Sequence, residues 1–217
     1  MKDYKILIKT DYPVAFDSLD HIYPAGTKND NFSNSAFINE VELQLCKNNS
    51  SLKIIDLGCA GGKLVRDFVD RGHIAIGLEG SNYSLKYQRA EWPSLYGKNL
   101  FTCDITKEYS VSIEIDNKNE SFESDLITAW EVIEHIPPDR LTIFFDLIRK
   151  HLKIGGKFVA GISLCDSPPH HLSLFPIDCW KNKILNRLNG FELKEYPYLN
   201  VGHPSFSSLY IMLERVF

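Results

Sequence analysis

Within "TAWEVIEHIPP", residues 128 to 138, Glu131, Glu134 and His135 fall close together, after an apolar run and before two prolines. On a helix, positions i, i+3 and i+4 share a face, so two carboxyls and an imidazole would project together. Such a set suits a divalent cation of the Mg²⁺, Mn²⁺ or Zn²⁺ kind, or proton transfer near neutral pH. It equally suits the polar edge of a ligand pocket. Further on, "SPPHHLSLF" supplies His170 and His171, either of which completes a metal set or acts as a general base. A second group lies upstream. "DLGCAGGK", residues 56 to 63, places Gly58, Gly61 and Gly62 around Cys59 and Ala60. That composition lets backbone approach a ligand and lets a helix start close to a strand end. Glu79 follows about 20 residues on, where an acid can accept from both hydroxyls of a ribose. Asp104 ends another apolar run and can accept from an amino group such as that of adenine.

The elements that must position these residues alternate from Lys53 onward. "KIIDLG" is a buried-type strand, "GKLVRDFVDRG" a helix stopped by Gly72, and "HIAIGLEG" a second strand. "SNYSLKYQRAEW" is a second helix with Ser81 as its N-cap, "NLFTCD" a third strand and "SDLITAWEV" a fourth. "DRLTIFFDLIRKHLK" is an amphipathic helix with Phe144, Phe145 and Ile148 on its core stripe, and "KFVAGIS" a fifth strand. "PIDCWKNKILNRLNG" is a last helix, and "FELKEYPYL" and "SFSSLYIMLERVF" pair antiparallel across "NVGHP". Residues 110 to 124 fit a small hairpin with a polar tip, and a helix runs from Ser35 to Lys47. Trp92 and Trp180 are helix-packing residues, while Trp130, at a strand end, either lines the pocket or packs. The pattern predicts an α/β fold: a Rossmann-like, doubly wound sheet of about seven strands, mostly parallel with one antiparallel edge strand, and helices on both faces. Residues 1–50 form an N-terminal extension or lid with a helix, and 51–217 the main domain. In the lid, His21, Tyr23, Lys28 and Asn31 are candidates for substrate contact.

Composition narrows the partners. A net charge of −4 offers no broad basic surface for a nucleic-acid backbone, so the substrate is a small molecule. The five cysteines form no CxxC pair, which argues against a zinc knot or disulfide framework and places the protein in a reduced cytoplasm. No apolar run spans a bilayer, and the charged N-terminus is not a secretion signal. No feature assigns an oligomeric state.

The glycine loop decides between two cofactors. A dinucleotide calls for G-x-G-x-x-G. Here the register is Asp56-x-Gly58-x-Ala60-x-Gly62, with an acid two residues before the first glycine. An acid opposes a pyrophosphate and welcomes a cation, which favours the sulfonium and amino group of S-adenosylmethionine. "IIDLGCAGGKL", "IGLEGS", "CDIT", "DLITAWEVIEHIP" and "LIRKHLKIGGKFVAGIS", in this order, resemble the motifs of class I S-adenosylmethionine-dependent methyltransferases. The resemblance covers about residues 50 to 215; Ala60 stands where that family often has glycine. It implies that Asp56, Gly58 and Gly62, with Cys59 and Ala60, cradle the methionine and ribose portion. Glu79, with Gly80 and Ser81, would hold the ribose, and Asp104 with Ile105 the adenine. Trp130 and Glu131 would form the rim. The expected activity is methyl transfer from S-adenosylmethionine, by O-methylation of a small polar acceptor such as a sugar or nucleotide-sugar. His171 or His170 is the expected base, and no metal is assigned. The alternatives are a metal-dependent RNA ribose 2′-O-methyltransferase, which would use Glu131, Glu134 and His135, and an NAD-dependent oxidoreductase.

Overall fold

A computed structural model of the chain describes residues 4–46, 50–194 and 208–217. Its main sheet has seven strands: β2 (Lys53–Leu57), β3 (Ile74–Glu79), β4 (Leu100–Thr102), β7 (Ser124–Trp130), β8 (Leu152–Ser163), β9 (Phe191–Lys194) and β10 (Ser208–Arg215). Their order is β4-β3-β2-β7-β8-β10-β9. Strands β4, β3, β2, β7 and β8 are parallel neighbours, and β10 runs antiparallel to both β8 and β9. The one reversed strand therefore sits next to the outermost position. The "NVGHP" connection expected between β9 and β10 lies outside the described residues.

Successive strand residues feed opposite faces, as a sheet covered on both sides requires. Ile54, Ala75, Leu126 and Val159 join the core packed by α3 (Ser35–Leu45) and α4 (Lys63–Asp70). Their neighbours Ile55, Ile76, Ile127 and Phe158 join the core packed by α7 (Leu141–His151) and α8 (Ile177–Arg187). Phe144, Phe145 and Ile148 lie in that second core with Trp180, as their helical spacing predicts. Helix α3 begins at Asn34, whose side chain accepts from the Ala36 and Phe37 amides; Lys47, its expected end, is outside the described residues. No helix among the described residues is long and apolar enough to cross a membrane.

The hairpin expected between residues 110 and 124 is present as β5 (Tyr109–Ile115) and β6 (Lys118–Ser121). Its turn residues, Asp116 and Asn117, both take positive φ, the conformation a two-residue hairpin turn favours. Strand β1 (Tyr4–Thr10) pairs along its whole length with β5, from Tyr4 opposite Ile115 to Thr10 opposite Tyr109. This second sheet delivers the chain after Thr10 to the carboxyl ends of the main strands. There the Asp104 amide donates to the Tyr12 carbonyl and the Ala15 amide to the Gly80 carbonyl, both at 2.9 Å. Two short helices, α1 (Leu19–Ile22) and α2 (Ala25–Asn29), then cross the same edge.

Two expected helices differ. The continuous helix from Ser81 to Trp92 is instead two short pieces, α5 (Tyr83–Lys86) and α6 (Trp92–Leu95), separated by Gln88 and Ala90 at positive φ. Asn82 takes the N-cap position of the first without a side-chain bond, while the Ser81 hydroxyl accepts from the Tyr83 amide at 3.3 Å. After β7 there is no helix carrying Glu131, Glu134 and His135 on one face. Glu131 has φ of 52°, and only Ile133–His135 form a single 3₁₀ turn. A positive φ ends a right-handed helix before it starts, so the i, i+3, i+4 face does not exist.

Candidate active site

The loop after β2 is built around left-handed backbone at Gly58, Ala60 and Gly62. Gly58 is obligatory for two reasons: its φ is 70°, and a Cβ there would lie 2.4 Å from Val132 Cγ2. Ala60 takes φ of 46° although it is not glycine. Hydrogen bonds to neighbouring elements hold the loop. The Gly58 amide donates to the Leu78 carbonyl at 2.8 Å, and the Ala60 amide to Glu79 Oε2 at 2.9 Å. The buried Trp92 indole N–H donates to the Ala60 carbonyl at 2.8 Å, and the Glu91 amide to the Gly61 carbonyl at 3.1 Å. Trp92 is thus more than a packing residue. Its sequence signal was the rule that a buried indole N–H must find an acceptor.

The acids at the strand ends are all buried. Asp56 is 5% exposed and accepts the Thr128 hydroxyl at 2.7 Å. Burial pushes its carboxyl up to about 7, against the opposing pull of that hydroxyl. Glu79 accepts from the Ser81 amide through Oε1 and from the Ala60 amide through Oε2, both at 2.9 Å, with the Thr27 hydroxyl at 3.5 Å. Burial raises it, and those two amides hold it back. Its first task is therefore to brace the loop, while it also lines the cavity. Asp104 Oδ1 accepts from the Thr106 amide and hydroxyl at 2.9 and 2.6 Å.

These groups line one cavity of about 680 Å³, within the range that small-molecule sites occupy. Every cofactor residue named from the sequence lines it except Gly62. Gly62, at φ of 88°, is instead the N-cap of α4, and a Cβ there would meet Leu100 Cδ1 at 2.6 Å. Trp130 lines the wall and packs edge-on against Phe37, with ring centres 5.1 Å apart. Residues of the N-terminal segment line the cavity too, but not the ones named from the sequence. His21, Tyr23, Lys28 and Asn31 are outside the lining, whereas Asp17, Asp20, Thr27, Asp30 and Phe32 are in it. Asn31 braces the start of α4 instead, accepting from the Lys63 amide at 3.0 Å. Asp17 pairs with Arg140, whose guanidinium holds that carboxyl below the usual range. Arg89 donates to the Asp30 carbonyl. These latches join residues far apart in sequence, so no spacing pattern could reveal them.

At the other end of the cavity, Glu131 accepts the Ser208 hydroxyl at 2.8 Å. Glu134 turns inward, fully buried, and its Oε1 accepts from the Ser163 amide at 2.8 Å. Burial pushes its carboxyl up to about 8, despite the neighbouring His135. Burial pulls His135 down, but the Asp20 carboxylate, 3.1 Å from Nδ1, outweighs it and leaves the imidazole raised. His170 Nδ1 lies 3.4 Å from the same Asp20 oxygen, and His171 donates through Nδ1 to the Cys165 carbonyl at 2.6 Å. Of these three histidines, His135 lines the cavity; His170 and His171, the expected bases, stand behind it.

A cavity at the carboxyl edge of a parallel sheet, with an acid ending each of three consecutive strands, defines a Rossmann-like enzyme that takes an adenosyl group. Residues 32–204 match a sequence family described as "Methyltransferase domain". The chain belongs to that family of S-adenosylmethionine-dependent methyltransferases. A ubiquinone biosynthesis O-methyltransferase from Idiomarina loihiensis is 27% identical over 124 residues, 55% of this chain and 47% of that protein. The chain thus spans about half the length of that relative. An S-adenosylmethionine-dependent methyltransferase from Clostridium acetobutylicum superposes with a TM-score of 0.59 at 16% identity, over 89% of this chain and 96% of that one. The magnesium protoporphyrin IX methyltransferase of Synechocystis, solved with bound S-adenosylhomocysteine, gives 0.57 at 16% identity, over 92% and 96%. These two likenesses speak for the fold. The family overturns the oxidoreductase alternative.

Proposed function

We propose that this enzyme methylates an oxygen of a small polar acceptor, a sugar or related metabolite, bound between the cofactor and the His135 end of the cavity. The observation that carries the reading is that two chemistries share one cavity. The glycine loop, Asp56, Glu79 and Asp104 line it together with Trp130, Phe37, Glu131 and His135. Asp56 faces the cationic methionine portion. Glu79 and Asp104 offer their remaining lone pairs to the ribose and the adenine, beside Ser81 and Ile105. The acceptor hydroxyl aligns in line with the sulfonium methyl, and alignment alone supplies much of the acceleration. Activating that hydroxyl is the task of His135 with His170 and His171. The O-methyltransferase among the relatives supports oxygen as the methylated atom. Among the described residues Arg140 is the one guanidinium in a wall rich in carboxylates, and it is already paired with Asp17. That balance favours the neutral sugar over its nucleotide-linked form, and it disfavours RNA.

In this reading residues 1–50 act as a lid on a catalytic domain of residues 51–217. Five cysteines without a disulfide suit a cytoplasmic enzyme. The test is calorimetry with S-adenosylhomocysteine and NAD, followed by transfer of labelled methyl to a panel of sugars, amines and short RNAs. Binding of S-adenosylhomocysteine with label on sugar hydroxyls is expected. Label on amines or RNA alone would overturn the acceptor assignment.

A further inference from the structure

Asp30 lines the cavity although it precedes the glycine loop by more than twenty residues, and its neighbours fix it there. It closes α2, and its own Oδ1 accepts from the Phe32 amide at 3.1 Å, which turns the chain. Asn31, the next residue, rests on the glycine loop. Its Oδ1 accepts from the Lys63 amide at 3.0 Å, so it caps α4 from outside, where Gly62 supplies no side-chain bond. A Cβ on Gly61 would collide with the Asn31 side chain, so the glycine is what lets the two segments touch. Arg89, between α5 and α6, donates to the Asp30 carbonyl. Asp30 is therefore held beside the loop that follows Asp56.

The two acids meet without a counter-ion. Asp56 is 5% exposed, and its Oδ1 takes the Thr128 hydroxyl. The other groups that act on it are Asp30, Glu79 from β3 and Cys59 from the loop, none of them positive, and Asp30 outweighs Glu79. The basic side chains at this end are engaged elsewhere: Lys63 with Asp67, Arg140 with Asp17, and Arg89 with the main chain of Asp30. Among the described residues no lysine or arginine pairs with the Asp30 or the Asp56 carboxylate. Two like charges brought together are unfavourable, and a cationic ligand group beside them removes the cost.

We propose that Asp30 binds the cofactor directly, its carboxylate joining Asp56 on the α-ammonium group of the methionine portion. The inference rests on Asp56 meeting that portion, and it needs no acceptor. It gives the segment after α2 a task in cofactor binding. It also accounts for Asn31, which stands outside the cavity lining and holds the neighbouring carboxylate in place.

The test is calorimetry on the full chain with S-adenosylhomocysteine, which carries the ammonium, and with methylthioadenosine, which lacks the amino-acid portion. Asp30→Asn keeps an oxygen for the Phe32 amide and removes only the charge. S-adenosylhomocysteine is expected to bind it about 5- to 10-fold more weakly, a smaller loss than in Asp56→Asn because Asp30 is exposed. Methylthioadenosine is expected to bind both proteins alike. A second reading needs no ligand. Asp56 has a folded value raised above its unfolded one, so its contribution to stability is lost as pH rises through the folded value. Asp30→Asn lowers that folded value, so urea titrations should show a smaller loss between about pH 5 and about pH 8. Equal affinity for S-adenosylhomocysteine, or equal weakening for both ligands, overturns the proposal. An unaltered pH profile overturns it too, because carboxylates that do not feel each other cannot share one ammonium. If binding falls in Asp56→Asn but not in Asp30→Asn, only the role of Asp30 fails; if it falls in neither, the placement of the methionine portion fails with it.

Discussion

Replacing Asp56 by Asn should strengthen the apo fold while weakening the enzyme's hold on its cofactor, and the two effects have opposite signs for one reason. Asp56 is buried, and burial pushes its carboxyl up to about 7 from its ordinary value of 3.8. A raised acid binds its proton more tightly in the folded state than in the unfolded one. Its favourable contribution is complete below the unfolded value and is lost as pH rises through the folded value. The loss is about 1.4 kcal/mol per pH unit from about pH 4, levelling off above about pH 7, for a total on the order of 4 kcal/mol. Asn keeps an oxygen for the Thr128 hydroxyl and carries no charge, so the variant escapes this loss. Urea denaturation of both proteins at pH 5, 6, 7 and 8 reads it directly. The stability advantage of Asp56→Asn should widen by about 3 kcal/mol between pH 5 and pH 8, with most of the change below pH 7. Calorimetry at pH 8 should show S-adenosylmethionine binding the variant about 10- to 100-fold more weakly, the worth of one charge-assisted contact. Parallel stability curves across pH, or an unchanged affinity, would show that Asp56 neither suffers burial as a charge nor meets the cationic end of the cofactor.

Other consequences follow from the loop. Trp92→Phe strips the donor from the buried Ala60 carbonyl; a loss of about 1–3 kcal/mol is expected in denaturant titrations, with weaker binding of S-adenosylhomocysteine. Ala60→Gly relieves a left-handed residue at φ of 46° and should gain on the order of 0.5–1 kcal/mol, seen as a small rise in Tm. Gly58→Ala drives a methyl into Val132 and should cost about 2 kcal/mol or more, and Val132→Ala in the same chain should recover only the steric part, leaving the backbone strain.

The legible part of this fold is the part whose causes are local. Strands and their end residues carried their own evidence, since apolar runs ending in glycine or acid need no distant partner to be recognised. That is why the succession of strands β2, β3, β4, β7 and β8 and most of the residues lining the cavity could be read directly. The N-terminal extension was legible only as a segment. Its working contacts, Asp17 to Arg140 and Asp20 to His135, span more than a hundred residues and depend on β1 pairing with β5. That pairing places the following chain over the strand ends, and no periodicity within residues 1–50 encodes it.

Glu131, Glu134 and His135 show how a correct residue list can carry the wrong geometry. Their spacing presumed a helix, and a helix needs right-handed backbone at each position. Glu131 sits at φ of 52° because its amide must return to the Gly161 carbonyl at the end of β8, 2.9 Å away. That one bond, made by the neighbouring strand, divides the string into two jobs. Glu131 stays with the cavity wall and Ser208. Glu134 turns into the core and accepts from the Ser163 amide, while His135 lines the cavity and meets Asp20. The tertiary bond at Glu131, more than the i, i+3, i+4 spacing, is what decides where each of the three side chains points.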